Sequence, residues 1–177
     1  MRHSLRPRLI AIAPSTAEAV RYAGGWLFDQ VLAGWDVTVV TAEAGDPRPL
    51  DILGVRARDF DAVFASPVLG PSLQGVALRA DLYRDDERVR RLVLAAAESG
   101  RAEIRLWGEV WPADFDGSGD PVSHRLSLAA RAFKAQALAA ADLRDAPLAE
   151  TEVFRRASSG ARGWQPSACR MSDSARR

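Results

Sequence analysis

The chain has 177 residues, 47% of them hydrophobic, with 24 basic residues against 23 acidic ones. That length suits one domain with a real core, and the near-cancelling charge gives no global reason for a nucleic-acid or membrane partner. A lone cysteine, Cys169, excludes an intramolecular disulfide and a thiolate metal cluster, and no apolar run approaches the ~20 residues of a membrane span.

The arginines at Arg2, Arg6 and Arg8 are not followed by a secretory hydrophobic segment, so a cytoplasmic protein is expected. Residues 1–7 read as a loose start. Leu9 to Ala13 is a short continuous apolar run, the pattern of a strand buried on both faces. Pro14 ends it, and Ser15 or Thr16 can cap a following helix, because a hydroxyl oxygen accepts a bond from an orphan N–H of the first turn. Val20, Ala23, Gly24, Leu27, Phe28, Val31 and Leu32 recur at steps of three and four. This predicts one amphipathic helix from Ala17 to about Ala33, stopped by Gly34. Gly24 and Gly25 cost roughly 1 kcal/mol each in a helix interior, and close approach of the helix to a sheet is the simplest reason for them. Val37 to Thr41 is β-branched throughout, which completes a right-handed βαβ unit with a parallel strand pair.

Pro47 and Pro49 mark a turn, and Leu50 to Leu53 can form a short helix before Gly54. Either Val55 to Ala57 or Ala62 to Ala65 supplies a further strand; the pattern does not choose. After the irregular stretch at Gly70, Pro71 and Gly75, a helical piece is expected over Val76 to Tyr83. Asp85 to Ser99 predicts a second clear helix with an acidic start, and Gly100 ends it. Ala102 to Trp107 alternates apolar and charged positions, as a strand near a sheet edge does. A loop from Gly108 to Asp120 leads to a third predicted helix, Pro121 to about Ala141, with Lys134, the only lysine, on its solvated side. From Asp142 the apolar pattern fails, so 142–177 is expected to be a mostly disordered tail. The expected architecture is a Rossmann-like three-layer α/β sandwich over 8–141 with a mainly parallel sheet.

Ligands of open parallel sheets lie beyond the carboxyl ends of the strands, which directs attention to the loop after the first strand. Candidate ligand contacts are Ser15, Thr16 and Glu18, with Asp114 and His124 from the later loop and helix. No phosphate-binding glycine fingerprint and no GxxxxGK[ST] element occurs. His124 can act as a base if Asp114, Asp116 or Asp120 fixes its tautomer, or it can be a first-turn histidine without a role. Trp107, Trp111 and Phe115 form a candidate partner surface, core packing being the alternative.

The stretch LIAIAPSTAEAVRYAGGWLFDQVLAGWDVTVVTAE, with a weaker echo at Arg131 to Leu138, resembles the start of the PIG-L/LmbE-like zinc deacetylases. In that family a first strand leads into a metal-binding loop, a glycine pair follows, and the second strand is a VTVVT-type segment. The resemblance implies a Rossmann-like fold. It also places a His-Pro-Asp-Asp motif where this chain has Ser15-Thr16-Ala17-Glu18, so the histidine ligand and the base-like aspartate are missing and only Glu18 can bind a metal. His3 and His124 are the only histidines, and a zinc site of the family type cannot be assembled from them. The same stretch is similar to the amino-terminal half of GT-B glycosyltransferases, whose first helices also contain glycines. The expectation is a non-catalytic or catalytically degraded module for a small ligand or a protein partner, with no metal or cofactor. Its rivals are an enzyme acting on a sugar or nucleotide-like substrate and a structural or assembly partner.

Overall fold

The computed structural model describes residues 6–65, 70, 72–109 and 120–157. Seven strands form one sheet in the order β3-β2-β1-β4-β5-β7-β6. Strands β1 (Arg8–Ala13), β2 (Asp36–Thr41), β3 (Arg56–Asp59), β4 (Leu73–Arg79) and β5 (Glu103–Trp107) pair in parallel. Strand β7 (Thr151–Ala157) runs antiparallel between β5 and β6 (Asp120–Arg125). The sheet is thus mixed and mainly parallel, with helices on both faces, as the βαβ opening implies. Among the described residues no helix is long and apolar enough to cross a membrane.

Alternation along β1 builds both faces of the core. Leu9, Ala11 and Ala13 pack with α1 (Thr16–Leu32), α2 (Arg48–Ile52) and α6 (Leu128–Ala140), whereas Ile10 and Ile12 pack with α3 (Phe60–Phe64), α4 (Ala80–Asp85) and α5 (Glu87–Glu98). Small side chains on the first face, Ala11, Ala13 and Ala77, let α1 lie close over the strands. Each long helix starts on a side-chain cap: Ser15 for α1, Asp86 for α5 and Ser127 for α6.

Several elements differ from the sequence expectation. Residues 56–59 are the strand, and 60–64 form a helix. The segment Val76 to Tyr83 divides into the end of β4 and the start of α4, because Gly75 to Leu78 is buried between β1 and β5 and must be extended to pair with both. The predicted helix from Pro121 to Ala141 begins only at Leu128; residues 120–125 pair with β7 as a strand. Strand β5 is not at an edge, because β7 covers it. The expected tail at 142–177 starts too early, since Thr151–Ala157 lies inside the sheet with Glu152 and Phe154 buried. Only two side chains of that strand are fully buried, too few for a hydrophobic pattern to announce it. Residues 158–177 lie outside the described residues.

Lys134 also departs from the sequence expectation. It is 2% exposed, not solvated, and its ammonium meets the Glu152 carboxylate and the Arg21 carbonyl.

Candidate functional site

After β1 the chain enters α1 on one face of the sheet, and after β4 it enters α4 and α5 on the other. Helices departing to opposite faces from neighbouring parallel strands leave a crevice at the strands' carboxyl ends, the topological switch point of the sheet. A cleft of about 200 Å³ lies there, lined by Glu18, Tyr22, Arg79, Asp81, Gly108 and Glu109. Each has a reason to be there. Glu18 occupies the first turn of α1, Arg79 ends β4, Asp81 follows it in α4, and Gly108 and Glu109 follow β5. Gly108 turns at φ 116°, a conformation that favours glycine, and so carries the chain past Arg79.

An arginine organises this cleft. Arg79 Nη1 donates to Glu18 Oε1 at 2.6 Å, and Arg79 Nε lies 2.9 Å from Asp81 Oδ1. The second contact lacks hydrogen-bond geometry, so it is Coulombic; Asp81 Oδ1 makes no hydrogen bond among the described residues. The side chains are 35% exposed for Arg79, 20% for Glu18 and 28% for Asp81, shielded enough for charge to matter and open enough for a ligand to reach. Among the described residues, three carboxylates and one guanidinium line the cleft. Tyr22, 38% exposed, presents an aromatic ring at its rim with the Arg21 guanidinium over it.

Of the described residues singled out in the sequence, only Glu18 is in this cleft. Ser15 is the α1 cap, its Oγ accepting from Glu18 N at 3.3 Å. Thr16 is 8% exposed and lies under the loop after β2, close to Gly45. His124 is in β6, where Nε2 lies 2.8 Å from Asp29 Oδ2. Asp29 is eleven residues beyond Glu18 along α1, about 16 Å of helix rise. His124 and Glu18 are therefore not brought together. Trp107 is 1% exposed and packs edge-on to Phe154, so it is core rather than partner surface. Asp114, Trp111 and Phe115 lie outside the described residues. Arg79, Asp81 and Glu109 carry no signal of their own in the sequence. Their roles depend on where β4 and β5 end, and the local pattern over β4 points to helix.

Asp29 belongs to a separate clasp. Ser127 Oγ donates to Asp29 Oδ1 at 2.6 Å and Ser127 N to Oδ2 at 3.2 Å. Burial pushes this carboxyl up, but the hydrogen bonds from Ser127 and His124 outweigh it and hold the pKa below the ordinary value.

Comparison with solved structures places the architecture. A teicoplanin deacetylase in its zinc-inhibited form superposes with a TM-score of 0.60 at 15% identity, covering 84% of this chain and 97% of that one. The deacetylase Dbv21, which acts on the A40926 pseudoaglycone, gives 0.59 at 18% identity, covering 88% and 99%. This chain shares the fold of these two deacetylases. The likeness in fold covers 84% of the chain, well beyond residues 9–43. GalB, a 4-carboxy-2-hydroxymuconate hydratase from Pseudomonas putida KT2440, shares the architecture at a TM-score of 0.53 and 13% identity, covering 85% and 95%. No protein-family model and no curated protein matches the chain.

Zinc, which the resemblance implies, does not fit the described residues. Ser15 stands in the histidine position and is engaged as a cap, and Glu18 is already paired with a cation. Among the described residues no three His, Cys, Asp or Glu side chains are grouped to hold a metal.

Proposed function

We propose that the protein is a small-ligand-binding domain built on the deacetylase fold, with its ligand in the Glu18, Arg79 and Asp81 cleft. The observation that supports this reading is the ion-paired arginine in an open crevice at the switch point, combined with the loss of the ligand and base positions of the His-Pro-Asp-Asp motif. The cleft volume, about 200 Å³, falls below the ~300–1,000 Å³ of drug-sized pockets and suits a small polar molecule. Carboxylates at Glu18, Asp81 and Glu109 accept hydrogen bonds from hydroxyl or amino groups. The Arg79 Nη2 group has no hydrogen bond among the described residues and can donate to a ligand oxygen.

Thermal-shift screening against sugar nucleotides, nucleotides and small polyols or amines tests it. A ligand that raises the melting midpoint should lose that effect in Glu109→Gln and Tyr22→Ala, while the ligand-free midpoint of both variants stays near that of the native chain. Absence of any stabilising compound, or a shift that survives both substitutions, would count against the cleft.

A second reading is an enzyme acting on a sugar or nucleotide-like substrate. The deacetylases and the hydratase that share the fold favour it, and so does Glu109, an exposed cleft carboxylate with no partner among the described residues that can take up or release a proton. Turnover of amide, ester or glycosidic substrates that disappears in Glu109→Gln would support this reading over simple binding.

A further inference from the structure

Glu18 is the only residue of the Ser15 to Glu18 segment able to bind a metal, and its carboxylate is occupied by a guanidinium at 2.6 Å. The same guanidinium reaches Asp81 at 2.9 Å, so one cation lies between two carboxylates from two different helices. We infer that Arg79 is an internal replacement for a divalent cation: it supplies the positive charge that the Glu18 and Asp81 carboxylates need, and it keeps metal out.

Two carboxylates brought to the same crevice repel unless a cation lies between them, and at partial burial that repulsion is screened less than at an open surface. A metal could take Glu18 and Asp81 as ligands only where the guanidinium has left, completing its shell with water, since the described residues form no three-ligand site around Arg79. Arginine stays protonated at every physiological pH and reaches both carboxylates from one planar group, hydrogen-bonding to Glu18 and attracting Asp81 by charge alone. Its stem is anchored by the backbone of β4, between β1 and β5. The charge is therefore fixed by the fold rather than recruited from solution, and the cleft is complete without a metal.

Metal titration tests this independently of any organic ligand. Competition of the native chain with a chromogenic zinc indicator should show no stoichiometric zinc, and the melting midpoint should not respond to zinc or to EDTA. Removing the guanidinium frees the two carboxylates. Arg79→Met is expected to bind zinc at least tenfold more tightly than the native chain, to be stabilised by it, and to lose both effects in Arg79→Met/Glu18→Gln. Arg79→Ala run in parallel, with circular dichroism to confirm the fold, keeps the test decisive if one variant fails to fold. One equivalent of zinc on the native chain that Glu18→Gln removes would overturn the inference. So would folded Arg79 variants that hold zinc no better than the native chain. Neither result depends on whether the cleft binds the small ligand proposed above.

Discussion

Lys134 Nζ lies 2.5 Å from Glu152 Oε1, and the two side chains are 2% and 3% exposed. The pair does more than neutralise itself. Lys134 also donates to the Arg21 carbonyl at 2.8 Å, while Glu152 accepts from the backbone N–H groups of Gly25 and Trp26 at 2.9 and 2.8 Å. Arg21 C=O and Gly25 N–H are the groups that a regular helix pairs with each other, and here both take a side-chain partner. One polar cluster thereby joins α1, α6 and β7.

Substituting Lys134→Met should cost roughly 3–5 kcal/mol, because Glu152 is left as an uncompensated buried charge. Denaturant unfolding measures this directly, and a midpoint equal to the native one would refute the assignment. Lys134→Met/Glu152→Leu should not recover full stability, since the Gly25 and Trp26 N–H groups then lack acceptors. Ending the chain at residue 144 removes β7 with Glu152 and Phe154, and cooperative unfolding by circular dichroism is expected to vanish.

The glycine pair makes a second prediction. A Cβ on Gly25 would lie 2.5 Å from Leu126 side-chain atoms, whereas one on Gly24 would make an ordinary contact 3.4 Å from Leu53. Gly25→Ala should therefore destabilise by about 1–3 kcal/mol, and Gly24→Ala should be neutral or stabilising by up to about 1 kcal/mol. Equal effects of the two substitutions on the thermal midpoint would contradict this account.

Ser15→Ala separates capping from ligand contact. Loss of the acceptor for Glu18 N is expected to lower stability by about 1 kcal/mol while leaving cleft binding unchanged. A binding loss larger than the stability loss would place Ser15 in the ligand shell instead.

Asp29 predicts an acid dependence. Its pKa is lowered in the folded chain, so its contribution is complete above the ordinary carboxylate value of 3.8 and is lost as pH falls through the lower folded value. Asp29→Asn should cost roughly 2 kcal/mol at pH 7 through the weakened bonds from Ser127 and His124. The difference from the native chain should shrink toward pH 3, as read from urea midpoints; a difference independent of pH would show that the charge is not what matters.

The opening βαβ unit is legible in the sequence because its signals are local. A continuous apolar run, a hydroxyl cap, a three-and-four periodicity and a β-branched run each act within a few residues, and β1, α1 and β2 form where they indicate. Glu18 is legible as a candidate by its place in the first turn. Strand β4 is not, because Val76 to Arg79 becomes extended through its neighbours on both sides rather than through its own propensity. His124 sits in a segment whose local pattern is helical, and it is a strand residue for the same kind of reason, since β7 supplies the pairing that makes 120–125 extended.

Sequence by itself determined the class of fold, the opening β1–α1–β2 unit and the absence of a histidine from the first loop. Tertiary structure alone decided that Arg79 fills the space beside Glu18, 61 residues away in the chain, and that Lys134 and Glu152 are buried together. A charged side chain carries no local mark of its partner. Whether it is solvated or paired depends on which strand ends and helix faces the sheet brings within about 4 Å of it, and that is fixed only when the whole sheet has closed.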